Sequence, residues 1–148
     1  MLKFSRFTLS SVLASGLILS MTAGAFAADP IDERVKAFKG AKQSVAQIKD
    51  GLSSGDNAAI AEAAKSLSAL GGRIPGMFPE GSDKGKTDAK AEIWSNFPDF
   101  TSKAKALQGR SDALVQLAST GAGKAELSDA FGKVIDSCKA CHRSYKED

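Results

Sequence analysis

The feature that most constrains this chain is a cluster of thiol and imidazole groups near its carboxyl end. The cluster is Cys138-Lys139-Ala140-Cys141-His142, and it holds every cysteine and histidine of the 148 residues. Two thiols three positions apart can each add to one vinyl group of a porphyrin, and the adjacent imidazole can then reach the iron from the same side. The motif therefore predicts one covalently attached haem c, bound through Cys138 and Cys141, with His142 as the axial metal ligand.

Other uses of these side chains fit the sequence less well. A structural zinc site needs four cysteine or histidine ligands, and the chain has three. A thioredoxin-like redox pair belongs between a strand and a helix, and no such pattern surrounds Cys138 and Cys141. A disulfide across one helical turn would be strained and would close almost no loop. Haem attachment is the favoured interpretation.

The amino-terminal residues have the pattern of a secretory signal peptide. Lys3 and Arg6 precede an apolar run over residues 7–21, and Ala25-Phe26-Ala27 supplies a small-x-small cleavage site. We predict a cleaved signal peptide at residues 1–27 and a haem domain at residues 28–148. Because the apolar run is almost long enough to span a bilayer, an uncleaved membrane anchor is the alternative. Export agrees with haem attachment, which in bacteria takes place outside the cytoplasm, so both features predict the periplasm.

The charge of the predicted domain excludes one class of partner. Without Lys3 and Arg6, the 20 basic residues become 18, against 17 acidic residues. No basic stripe of a nucleic-acid-binding protein is present, and no membrane contact is expected after cleavage. A chain of this size can bury one hydrophobic core, which predicts a single domain.

Helical periodicity runs through the predicted domain. It predicts an all-α, antiparallel four-helix bundle, in which Asp29-Pro30 begins the first helix and the second begins near Asp56 and stops at Gly71-Gly72. The third helix follows Pro98, and the fourth covers residues 124–145. The apolar seams expected in the core are Ile31, Val35, Phe38, Ala41, Val45, Ile48 and Leu52; Ile60, Ala63, Ala64, Leu67 and Leu70; Phe100, Ala104, Leu107, Ser111, Leu114 and Ala118; and Leu127, Phe131, Val134, Cys138, Cys141 and Tyr145.

One long irregular segment separates the second and third helices. Residues 73–87 are rich in proline and glycine, which predicts a loop. Ile74, Met77 and Phe78 are expected to fold back onto the bundle as a lid, and residues 88–94 are expected to form a short helix. Because both cysteines lie on the core-facing stripe of the last helix, the porphyrin should be buried in the bundle.

A C-x-x-C-H motif on the last helix of a four-helix bundle resembles the cytochrome c′ family. The loop at residues 74–82 and the run at residues 89–94 are also similar to the family's segment between its second and third helices. The resemblance covers essentially all of the predicted mature chain. It implies a haem-binding role for Arg34, which would pair with a propionate, and a distal position for Phe38. It also places Lys146 where many relatives have a proximal arginine.

Phe38 decides which haem chemistry we expect. In low-spin relatives a methionine at this point ligates the iron, and a phenyl ring cannot. His142 is the only histidine, Met77 lies in the loop, and a lysine such as Lys42 would have to be neutral and buried to ligate. The expected state is a five-coordinate, high-spin haem. Phe38 offers no hydrogen-bond donor to dioxygen, so the expected ligands are nitric oxide and carbon monoxide.

These observations predict a periplasmic cytochrome that binds nitric oxide, with a role in its detoxification and with possible electron transfer. The alternative is an electron-transfer cytochrome with a six-coordinate, low-spin haem. We do not expect an enzyme, because no distal histidine remains to act as a general base. The redox donor is not identified by the sequence, and the resemblance allows a homodimer formed through the first two helices.

Overall fold

The structure of this protein, a computed structural model, describes residues 29–147. The predicted signal peptide and its cleavage site lie outside the described residues. Four long helices and two short ones follow in order: α1 (Pro30–Ser54), α2 (Asn57–Arg73), a 3-10 helix (Ile74–Met77), α3 (Glu92–Ser95), α4 (Phe97–Ser119) and α5 (Lys124–Tyr145). The predicted all-α four-helix bundle is confirmed.

The starts of the first two helices follow from their capping residues. Asp29 accepts a hydrogen bond of 2.8 Å from the Ile31 amide, and Asp56 accepts one of 2.9 Å from the Ala59 amide. Gly55, with φ of 77°, ends α1 in the left-handed conformation, which costs glycine no steric strain. These local signals are the reason why both helices begin where the sequence predicts.

The long helices pack in chain order. α1 lies against α2, α2 against α4, and α4 against α5, whereas α1 and α5 touch only slightly. The predicted seams of the second and third helices are buried throughout. Ile74, Met77 and Phe78 are also buried, which confirms that this segment folds back onto the bundle. The divergence of α1 from α5 leaves space between them for a cavity.

α2 and α4 approach each other very closely at one point. A Cβ atom added to Gly71 would lie 2.8 Å from the backbone nitrogen of Gln108, too close for any side chain. Gly71 therefore allows the two helices to pack closely. The prediction that Gly71-Gly72 ends the helix was wrong, since α2 continues to Arg73. Pro75 then sits near the start of the 3-10 helix, where its missing N–H costs nothing.

Two further predictions about local structure were wrong. Val35 was placed in the core seam of the first helix, but 42% of it is exposed, because it lies at the mouth of the cavity between α1 and α5. The short helix expected at residues 88–94 covers only Glu92–Ser95. The reason is that residues 88–90 bond instead to the end of α5: the Lys90 amide donates to the Tyr145 carbonyl at 3.1 Å, and the Glu147 amide to the Asp88 carbonyl at 2.8 Å.

In the part of the chain that the structure describes, no helix has both the length and the hydropathy needed to cross a bilayer.

Candidate haem site

A cavity of about 560 Å³ lies between the four long helices, α1, α2, α4 and α5. Its size is within the range of small-molecule and cofactor sites. Cys138, Cys141 and His142 all line it from α5, and Phe38 lines it from α1. Most of the other lining side chains are apolar, among them Val45, Leu67, Leu70, Ile74, Phe100, Leu107 and Ile135. The fold thus brings the C-x-x-C-H motif to one wall of an apolar chamber.

The two thiols are free and partly buried. Burial raises the pKa of Cys138, and burial raises the pKa of Cys141 to about 11 even though the Lys103 ammonium opposes the shift. Both therefore stay protonated near neutral pH. Among the described residues no group of three or more His, Cys, Asp or Glu side chains is arranged to hold a metal ion by itself.

His142 is exposed at the edge of the cavity. Its pKa is lowered, first by partial burial and then by the nearby Lys146 ammonium. Both effects favour the neutral imidazole, which is the form that ligates iron. The residue that the sequence singles out as the axial ligand is thus next to the cavity and in a suitable protonation state.

Phe38 belongs to a group of aromatic rings that line the cavity or pack beside it. Its ring centroid lies 6.5 Å from that of Phe78, which makes a T-shaped contact with Phe100 at 4.9 Å. Phe100 in turn meets Tyr145 edge-on at 5.3 Å. No methionine is among the lining residues, and Met77 is buried in the core beside them. At the position of Phe38, α1 therefore offers an aromatic ring, and no thioether lines the cavity.

Among the charged residues that the structure describes, Arg34 is the most buried, with 3% exposed. Its guanidinium donates to Ser82 Oγ at 3.1 Å, to the Ser82 carbonyl at 2.9 Å and to Thr87 Oγ1 at 2.6 Å. The same group lies 4.8 Å from the centre of the Phe78 ring. Burial lowers its pKa, which Asp29 partly offsets. Arg34 thus ties the loop after the 3-10 helix to α1, and sequence patterns gave no signal for Ser82 or Thr87 as its partners.

Lys146 lies beyond the end of α5, where it is held by the loop. Its ammonium is 3.5 Å from the Asp88 carboxylate, and its backbone forms an isolated antiparallel bridge with Ala89. About half of the Lys146 side chain is exposed. It lines the cavity and stands four residues after His142, and its ion pair is with Asp88.

Tyr145 connects the cavity to α4. Its hydroxyl donates to Asp99 Oδ2 at 2.6 Å, and Lys103 lies 3.5 Å from the same carboxylate oxygen. The bond from Tyr145 lowers the pKa of Asp99, while burial and Asp99 together raise the pKa of Tyr145 to about 12. Tyr145 was predicted only as a core residue. Its partner is 46 positions away in the chain, so no local pattern could have revealed the bond.

The lining residues suit a haem in both shape and charge. Haem brings a large apolar ring and two carboxylates. The cavity combines apolar walls with five cationic side chains and a single acidic one, Asp88; the cations are Arg34, Lys39, Lys42, Lys103 and Lys146. Cys138 and Cys141 would hold the porphyrin through thioethers, and His142 would hold the iron. What haem supplies there is an iron centre that can change its redox state and bind an axial ligand.

A four-helix bundle with this motif on the wall of such a cavity defines a c-type cytochrome. A family model for cytochrome C′ matches residues 29–146, and this chain belongs to that family. The cytochrome c′ of Allochromatium vinosum is 30% identical over 146 residues, 94% of each chain. A cytochrome c-556 of Agrobacterium tumefaciens is 35% identical over 112 residues, 76% of this chain and 89% of that protein.

Solved structures agree with this assignment. The cytochrome c prime from Shewanella frigidimarina superposes with a TM-score of 0.73 at 34% identity, covering 82% of this chain and 96% of that one. The membership confirms haem c as the cofactor of this chain.

Proposed function

We propose that this cytochrome binds nitric oxide, and carbon monoxide, at an open axial position of its haem on the side facing Phe38. The observation that carries the proposal is the composition of the cavity wall. Phe38 lines the cavity from α1, and no methionine or second histidine lines it. The lining lysines Lys39 and Lys42 are exposed, and an exposed ammonium has no lone pair for a metal.

The apolar character of that wall supports a choice among gases. Phe38 and Phe78 present ring carbon and no hydrogen-bond donor to a ligand between α1 and α5. Bound dioxygen develops negative charge and needs a donor, whereas nitric oxide and carbon monoxide depend on one much less. The absence of a donor on Phe38 would therefore disfavour dioxygen, whereas its bulk restricts all three gases alike.

Binding, rather than turnover, is the proposed activity. General acid-base catalysis needs a titratable group within hydrogen-bond reach of the reacting atoms. His142 is the only imidazole, and it is assigned to the iron. A role in removing free nitric oxide, with occasional electron transfer, follows from such a site.

The proposed location is the periplasm, reached by cleavage of residues 1–27. Support comes from the composition of those residues and from the covalent haem, whose attachment in bacteria occurs after export. Mass spectrometry of the protein purified from a bacterial periplasm tests this. A mass that starts at residue 28 and includes one haem is expected, and a retained amino-terminal segment would favour the membrane anchor. A homodimer through α1 and α2 stays a prediction, for which sedimentation of the same sample is the test.

The experiment for the central proposal is spectroscopic. Absorption and electron paramagnetic resonance spectra of the holoprotein are recorded in the ferric and ferrous states, before and after nitric oxide is added. High-spin spectra with a ferrous form that responds to nitric oxide are expected. Low-spin spectra that do not change on addition of the gas would overturn the proposal and favour the six-coordinate electron carrier.

A further inference from the structure

Tyr145 is the only tyrosine of the chain, and the fold places it on the wall of the haem cavity. Only 4% of it is exposed to solvent. A phenol loses one electron more readily than the aliphatic and phenyl side chains around it, because its oxygen stabilises the radical that forms. Tyr145 is therefore an oxidisable group that is approached from the cavity rather than from bulk solvent.

The hydroxyl of Tyr145 already has a proton acceptor. It donates to Asp99 Oδ2 at 2.6 Å, with a longer contact of 3.4 Å to the Asn96 carbonyl. The bond from Tyr145 lowers the pKa of Asp99, so Asp99 is a carboxylate at neutral pH, and 43% of its side chain is exposed. This base lies within the distance that direct proton transfer requires. A proton that leaves Tyr145 can pass to Asp99 and from there to water.

Trp94 provides a comparison within the same molecule. It is the only tryptophan of the chain, and ring contacts through Phe78 and Phe100 connect it to Tyr145. Its Nε1 donates to the Pro79 carbonyl at 3.0 Å, and a carbonyl oxygen is a much weaker base than a carboxylate. Trp94 also lies outside the cavity lining. Of these two oxidisable rings, only Tyr145 has both access to the cavity and a carboxylate to take its proton.

The walls of the cavity select the oxidants that reach Tyr145. Most of the lining side chains are apolar, so an uncharged gas enters more easily than an ion, which must give up its hydration. Nitric oxide and dioxygen combine to form nitrogen dioxide, an uncharged radical that becomes nitrite when it takes up one electron. Nitrogen dioxide is thus an oxidant of suitable size, charge and electron demand.

We propose that Tyr145 is a site of nitration by nitrogen dioxide, with Asp99 as the proton acceptor. The first nitrogen dioxide takes one electron from the ring and becomes nitrite, while the O–H bond breaks and the proton goes to Asp99 Oδ2. The second forms a carbon–nitrogen bond at the ring carbon next to the phenol oxygen, and the hydrogen of that carbon moves to the oxygen. One phenol and two nitrogen dioxide molecules give one nitrotyrosine, one nitrite and one proton. This proposal rests on the proposed function only for the entry of small nitrogen oxides into the cavity.

Nitration would also change the contact between α4 and α5. A nitro group next to the hydroxyl withdraws electrons and so lowers the pKa of the phenol, which then ionises near neutral pH. A phenolate cannot donate to Asp99, and the two negative charges repel each other. The hydrogen bond that joins Tyr145 to Asp99 would be lost.

The test exposes the ferric holoprotein to nitrogen dioxide made by pulse radiolysis of a nitrite solution, and mass spectrometry of peptides locates the nitro group. Nitration at Tyr145, with little at Trp94, is expected. D99N keeps a hydrogen-bond acceptor but removes the base, so it should lower the yield at Tyr145 by about tenfold or more, whereas D99E should retain most of the yield. D112N is the matched control, because Asp112 is another carboxylate of α4 that accepts a hydrogen bond, from Ser68, and it lies outside the cavity lining. Its yield should stay within about twofold of the wild type.

Three outcomes would overturn the proposal. Equal yields in the wild type and D99N would mean that Asp99 does not take the proton. Nitration mainly at Trp94 would mean that exposure to solvent decides the site, and an unmodified Tyr145 would mean that the gas does not reach it. Circular dichroism and the haem absorption spectrum establish that each variant is folded, and the ratio of nitration at Tyr145 to that at Trp94 in the wild type decides if D99N does not fold. Nitrogen dioxide is made in solution and need not bind iron, so a separate nitric oxide titration decides the proposed function independently.

Discussion

At the scale of single residues, Phe38 is the position on which the proposed ligand chemistry depends. Replacing it with methionine, F38M, places a thioether on the wall that faces the C-x-x-C-H motif. We expect the haem to become low-spin and its response to nitric oxide to slow by about tenfold or more, because the new ligand must leave before the gas can bind. F38L is the matched control, since leucine has a volume similar to that of methionine but no lone pair. The F38L protein should stay high-spin. A high-spin F38M protein would mean that Phe38 is too far from the iron to define the distal side.

Arg34 is the second residue with a distinct prediction. R34A removes three hydrogen bonds to the loop; Ser82 loses the donor to its hydroxyl and carbonyl, and Thr87 Oγ1 keeps only the bond from the Ala89 amide. We expect the free energy of unfolding of the holoprotein to fall by about 2–4 kcal/mol in guanidinium titrations. R34K should recover little of this, because an ammonium cannot donate in the same planar fork or stack on Phe78 in the same way. Full recovery by lysine would show that only the positive charge matters.

At the scale of helices, the contact between α2 and α4 supports a prediction with an internal control. G71A introduces a Cβ atom 2.8 Å from the Gln108 backbone nitrogen, so the two helices must move apart. The expected loss is about 1–3 kcal/mol in the free energy of unfolding. G109A, on α4, has no heavy atom within 4 Å of the added carbon and should stabilise the protein by about 0.5–1 kcal/mol. If both variants gain stability, α2 and α4 do not pack as closely at Gly71 as the structure indicates.

The bond between Tyr145 and Asp99 joins α4 to α5 and makes stability depend on pH. The pKa of Tyr145 is raised from 10.0 to about 12 in the folded protein, so the phenol stays protonated after the unfolded chain has lost its proton. The contribution of Tyr145 is therefore complete below pH 10 and is lost as the pH rises towards 12. Lys103 lies beside Asp99, and the Cys141 thiol near Tyr145 no longer titrates once it forms a thioether with haem.

Denaturant titrations across the alkaline range test this contribution. The Y145F variant should be less stable than the wild type at pH 8, since it removes the phenol donor of Asp99 and leaves only Lys103, at 3.5 Å, beside that carboxylate. The difference between the two proteins should shrink as the pH rises, because only the wild type has the phenol to titrate. A difference in stability that stays constant to high pH would mean that the bond to Asp99 does not raise the pKa of Tyr145.

The helices also show where prediction from sequence succeeds. Capping by Asp29 and Asp56 and the periodicity of α4 are local signals, and they fixed these elements correctly. The motif on α5 located three cavity residues by itself. What could not be predicted depends on contacts between distant parts of the chain. α2 ends later than predicted because Gly71 packs against α4. Residues 88–90 are not helical as predicted because they form hydrogen bonds with the end of α5.

Several side chains that line the cavity also could not be placed from local sequence, because their surroundings depend on distant parts of the chain. Val35 has the period of a core residue, and nothing local reveals that α1 and α5 diverge beside it. Arg34 could be assigned to the haem only by resemblance to the family. Its bonds to Ser82 and Thr87 span 48 and 53 residues of sequence.

At the scale of the whole molecule, the order of helix packing implies that haem holds two parts of the bundle together. α2 and α4 form the central pair, while α1 and α5 touch only slightly and face each other across the cavity. Phe38, Ala41 and Val45 of α1 line that cavity and bury their remaining apolar surface only against whatever occupies it. A porphyrin attached to α5 would contact this face and so fasten α1 to the opposite wall.

This arrangement predicts which helix loosens first when haem cannot attach. In a C138S/C141S variant, backbone amides in the first half of α1 should exchange with deuterium about 10²-fold faster or more than in the holoprotein, because local opening there no longer breaks haem contacts. Amides in the buried centres of α2 and α4 should change much less, since their mutual contact does not involve the cavity-facing side of α1. Mass spectrometry of peptides from each helix measures the exchange rates of α1 and of α2 and α4 in one sample. Uniform loss of protection over all four helices would instead mean that haem is needed for the whole bundle to fold, and that α2 and α4 have no independent stability.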